Sequence, residues 1–73
     1  MIKDRTIAEH VSKLMLEFGS RLDESVVAVR DSCSNAEFQA YRIAVGKVLG
    51  EMLLEVMNPL YQAHPELKPA GLN

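Results

Sequence analysis

Apolar residues recur in the first half of the chain at Ile7, Val11, Leu14, Met15, Phe18, Leu22, Val26 and Val29. At 100° per residue they fall within an arc of about 120°, the pattern of a helix with one buried face. Glu9, Lys13, Glu17 and Arg21 lie on the other side, where opposite charges four residues apart support an exposed helix by a few tenths of a kcal/mol per pair. Leu16 and Val27 fall among them as isolated surface positions. The start of this helix is marked by Thr6, which with Glu9 three residues later matches a capping box.

Periodicity fails at "RDSCSN", and Ser34 with Glu37 makes a second capping-box match, so a new helix begins almost at once. So short a connection makes the two helices antiparallel neighbours. The second helix has two apolar sets. Phe38, Tyr41, Val45, Val48, Leu49, Met52 and Val56 form the stripe expected to face the first helix. Ala36, Ala40, Ile43, Gly50, Leu54, Met57 and Tyr61 form another on a different side, with Gly46 and Leu53 between the two. Only a narrow strip around Glu37, Lys47, Glu51 and Glu55 is clearly polar.

One neighbour cannot cover a helix that is apolar around so much of its circumference. The pattern therefore predicts an all-α protein, an antiparallel two-helix hairpin that closes as a dimeric four-helix bundle. The chain reads as a single domain, with helix one over 6–31, a turn at 32–34 and helix two over 35–57. A short helical turn and a proline-containing tail follow over 58–73, with Asn58 capping a new turn that has Pro59 in its first position. Leu67 and Leu72 are the tail residues placed to pack on the bundle.

The glycine pair in "IAVGKVLGEMLLEV" sharpens the oligomer expectation. Each glycine inside a helix costs about 0.8 to 1 kcal/mol relative to alanine, so Gly46 and Gly50 together cost about 2 kcal/mol. A close helix crossing offsets such a cost, as in G-x-x-x-G contacts, and Lys47, Glu51 and Glu55 point to a crossing in water. The expected oligomer interface is Ala36, Ala40, Ile43, Gly46, Gly50, Leu53, Leu54, Met57 and Tyr61. The expected partner is a second copy, with a different chain as the alternative.

Composition narrows the function classes. At 73 residues the chain is near the size where one core barely offsets chain entropy, and a single cysteine, Cys33, excludes an internal disulfide. The diet is 48% hydrophobic but 5% aromatic, which favours helix packing over sheets. A net charge of −2 gives no pull toward nucleic acid or anionic membranes. No apolar run is long enough to span a bilayer, so the expectation is a soluble cytoplasmic protein.

No phosphate loop, nucleophile elbow or carboxylate pair marks an enzyme, and no catalytic residue is assigned. His10 and His64 match no di-iron helix motif, and no cofactor or metal is expected. Cys33 lies in the turn with Arg30 as the nearest cation in sequence and Asp31 and Glu37 opposing it, a setting for a small turn residue and not a reactive thiol. In outline the dimeric hairpin resembles the Rop-like RNA-binding four-helix bundles, a likeness of architecture that no binding motif accompanies. It implies a nucleic-acid binder, yet Lys3, Arg5, Lys13, Arg21 and Arg30 spiral around helix one among acidic neighbours, and Phe18, Phe38, Tyr41 and Tyr61 sit on apolar faces. The favoured function is a small non-enzymatic protein-protein interaction module: an adaptor, regulator or inhibitor. A Rop-like binder and a bundle holding a metal or small ligand are the alternatives.

Overall fold

The computed structural model describes residues 1–71 and places them in an all-helical hairpin, a rod of 44 × 19 × 16 Å. Helix α1 spans Arg5–Ser32 and helix α2 spans Asn35–Glu51. A π-helical segment, Met52–Met57, leads into α3, Asn58–Ala63, and a short 3₁₀ turn follows at Pro65–Leu67. Leu72 lies outside the described residues.

Asp4, not Thr6, caps α1. Its carboxylate accepts from the Ile7 backbone N–H at 3.0 Å, and an anion at a helix N-terminus is favoured over a neutral hydroxyl. Glu9 is then free to bind cations. It meets Arg5 and Lys13, each at 3.2 Å, and Arg21 meets Glu17 at 3.3 Å farther along the exposed side. The Lys13 ammonium, through its hydrogen bond and its charge, holds the Glu9 carboxyl below the usual range, with Arg5 adding to the effect.

Between the helices the chain needs only Cys33 and Ser34. Both have extended backbones, and the Cys33 N–H donates to the Val29 carbonyl at 2.9 Å. Ser34 and Glu37 form the expected capping box: the Glu37 N–H donates to Ser34 Oγ, and the Ser34 N–H donates back to Glu37 Oε1, each at 3.2 Å.

The second arm differs from the expected break at Pro59. Asn58 is helical at φ −61°, ψ −50°, and makes no side-chain cap, so α2, the π segment and α3 form one continuous helix. The Asn58 N–H donates to the Leu53 carbonyl five residues back. Proline has no N–H, and in an α-helix its ring presses on the carbonyl four residues before it; a widened turn ahead of Pro59 relieves both problems.

That widened turn shifts the buried register by one residue. Above it the inward positions are Tyr41, Val45 and Leu49, as the first stripe requires; below it they are Met57, Leu60, Tyr61 and His64. An unbroken α period would have placed Val56 inward in place of Met57. The core cluster accordingly consists of Ala8, Met57, Leu60 and Tyr61, with Ile2, Val11, Met15, Leu53 and Leu67 packed against it.

On α1 the seam is also rotated from expectation. Ala8 and Ser12 are buried, while Ile7 and Phe18 are 51% and 46% exposed. Small residues let the second arm come close here, and the Ser12 and Tyr61 hydroxyls share a buried 2.6 Å hydrogen bond. Nearer the turn, Ser25 and Tyr41 repeat the device, their hydroxyls 2.7 Å apart.

The open ends of the hairpin are tied together. His64 Nε2 donates to the Ile2 carbonyl at 2.7 Å, while Glu66 Oε1 lies 3.6 Å from His64 Nδ1 and 3.4 Å from Arg5 Nε. The densest packing therefore lies at the end that holds residue 2 and α3, far from the turn.

Candidate interaction surface

The helix period places Ile43, Gly46, Gly50 and Leu54 on the side of the second arm opposite Val45, which is buried in the seam. Among the described residues nothing covers this face. Ile43 is 53% and Leu54 62% exposed, and Ala36, Ala40 and Gly46 are exposed with them. A methyl group built on Gly46 or on Gly50 meets nothing within 4 Å. No contact inside the hairpin requires either glycine, and the helix bears their propensity cost without return.

Of the nine residues expected at an oligomer interface, the structure brings six to this outward side: Ala36, Ala40, Ile43, Gly46, Gly50 and Leu54. Gly50 is half-buried among them. Leu53, also half-buried, joins the wall of a groove between the arms. Met57 and Tyr61 belong to the chain's own core, 8% and 5% exposed, because the π turn swings them toward α1. A proline ahead of an apolar run was the available signal for that shift.

Apolar grooves flank the seam on either side. One, of about 390 Å³, is lined chiefly by Met15, Leu16, Gly19, Leu49, Met52 and Leu53. The other, of about 480 Å³, runs past Phe18, Leu22, Tyr41, Val48 and Met52, with Val48 50% exposed. Both are open troughs between two helices; Ser20 and Asp23 also line the first, and Arg21 and Ser25 the second.

Charge separates the two arms. Every ion pair among the described residues lies on α1 or joins α1 or His64 to Glu66. On the second arm Arg42 donates to Gln39 Oε1 at 2.9 and 3.2 Å, and Glu37 is held by Ser34. Exposed Lys47, Glu51 and Glu55 make no ion pair among the described residues.

The residues considered for chemistry are dispersed. His10 is exposed on α1, His64 is spent on the tail clasp, and Cys33 is exposed in the turn. Among the described residues no group of three His, Cys, Asp or Glu is placed to hold a metal ion, and no helix is long and apolar enough to cross a membrane. No protein-family model matches the chain, and no curated protein or solved structure is significantly similar to it.

Proposed function

We propose that this protein is a small non-enzymatic interaction module that works as a dimeric four-helix bundle, with the outer face of the second arm as its working surface. One observation supports the reading above the others: Gly46 and Gly50 stand in open space on a face that also exposes Ile43 and Leu54. Two helix-weakening residues without an internal purpose, set among apolar residues without internal cover, match a surface made for close approach by another helix. Covering it as a bundle adds a second layer to a 73-residue chain whose own buried core is a handful of side chains.

Sedimentation equilibrium tests the reading. The intact chain is expected to be dimeric at low micromolar concentration, and Gly50→Leu is expected to dissociate it, since the hairpin alone has room for a larger side chain there. A folded wild-type monomer under those conditions defeats the proposal.

A further inference from the structure

We infer that the outer face of the second arm is covered by a second copy of the chain running antiparallel to it, with the twofold axis passing between Gly46 and Gly50. The inference rests on the dimeric reading above and adds direction and register. Charge complementarity decides the direction. By the helix period Lys47, Glu51 and Glu55 share one flank of the face, while Arg42 lies on the opposite flank and Gln39 falls in line with Ile43, Gly46 and Gly50.

A twofold axis that reverses the helix direction brings each flank against the same flank of the partner. Lys47 of one copy then meets Glu51 of the other, and the pair occurs twice by symmetry. Among the described residues these exposed groups make no ion pair, so no such pair has to break. A parallel twofold dimer instead sets this flank against the Arg42 flank. The one attractive pair it offers, Glu37 with Arg42, draws on groups already engaged by Ser34 and by Gln39. Lys47, Glu51 and Glu55 are then left without opposite charges.

The apolar residues fit the same register. With the axis near residue 48, Ile43 of one copy lies over Leu54 of the other, and the two large exposed apolar side chains of the face cover each other. The glycines flank the axis, where the backbones come closest. Ile43 and its symmetry mate are about 16 Å apart along the helix in this arrangement, against near contact in a parallel dimer.

Disulfide trapping reads the difference, because a bridge needs Cα atoms within about 7 Å. Ile43→Cys and Leu54→Cys are made separately in full-length chains carrying Cys33→Ser, oxidised mildly alone and as a mixture, and run without reductant. The unoxidised parent is sized by sedimentation in parallel. The expected result is a dimeric parent, a mixed disulfide when the two variants are combined, and none from either alone. Lys47→Glu is expected to raise the dimer Kd by roughly tenfold through loss of both symmetric pairs, and adding Glu51→Lys to restore it. Disulfides from Ile43→Cys alone in a dimeric protein overturn the antiparallel register while the dimeric reading stands. A dimer that forms no disulfide in any combination has its interface elsewhere and overturns the inference. A monomeric parent overturns both.

Discussion

Replacing Gly46 and Gly50 together by alanine separates a surface accident from an interface, because the two cases predict opposite signs. In the isolated hairpin the added methyl groups meet nothing within 4 Å, so the substitution brings no clash. Alanine is better than glycine by about 0.8 to 1 kcal/mol per helical position, so the double variant should gain about 2 kcal/mol. For a domain of this size that raises Tm by roughly 8 to 16 °C. If the glycines let a partner backbone approach, the methyl groups hold the helices apart and the gain is lost to weakened association. Circular dichroism melts over a hundredfold range of protein concentration, with sedimentation velocity on the same samples, measure both quantities. The expected outcome is a variant with higher Tm than wild type at the lowest concentration, lower or equal Tm at the highest, and a larger monomer fraction throughout. A variant uniformly more stable and unchanged in mass would refute the close-crossing argument.

Other tests concern the hairpin itself. Tyr61→Phe leaves the buried Ser12 hydroxyl without its partner and should cost about 1 to 3 kcal/mol in urea unfolding, whereas Tyr61→Phe with Ser12→Ala removes both polar groups and should recover most of that loss. Deleting Glu55 while replacing Pro59 by alanine should convert the π turn to α-helix and keep Met57, Leu60 and Tyr61 inward; the deletion variant is expected to melt within a few degrees of Pro59→Ala alone, and a collapse of helical signal would oppose the register account. The Ser34 side chain and then its backbone N–H hold the Glu37 carboxyl below its ordinary value. A carboxylate lowered on folding contributes stability that is full above the unfolded-state value and is lost as pH falls through the folded-state one, so the pH dependence of Tm in the acid range should flatten in Glu37→Gln.

Local signals made much of the hairpin legible. Ser34 and Glu37 announce a helix start through neighbours three residues apart, and their capping box forms in the structure because nothing distant competes for those groups. The separation of arms and the connection at Cys33 and Ser34 likewise depend on residues close in sequence. The outward position of Ile43, Gly46, Gly50 and Leu54 was legible because these residues precede or only enter the widened turn, where the α period still holds. Met57 closes the widened turn and Tyr61 follows it, and both are carried round to the core side.

The sequence by itself therefore determined two antiparallel helical arms, the cap between them and a second arm too apolar for one neighbour. Tertiary structure decided which residues of each arm form the seam. Thr6 lost the α1 cap to Asp4, whose charge serves the helix start better, and the seam on α1 turned from Ile7 and Phe18 to Ala8 and Ser12 so that Leu60 and Tyr61 could fit. Pro59 was visible from the start, but its consequence was not. The chain can answer a missing N–H by breaking, kinking or widening its helix, and only packing of Met57, Leu60 and Tyr61 against Ala8 favours the widened turn and its one-residue shift.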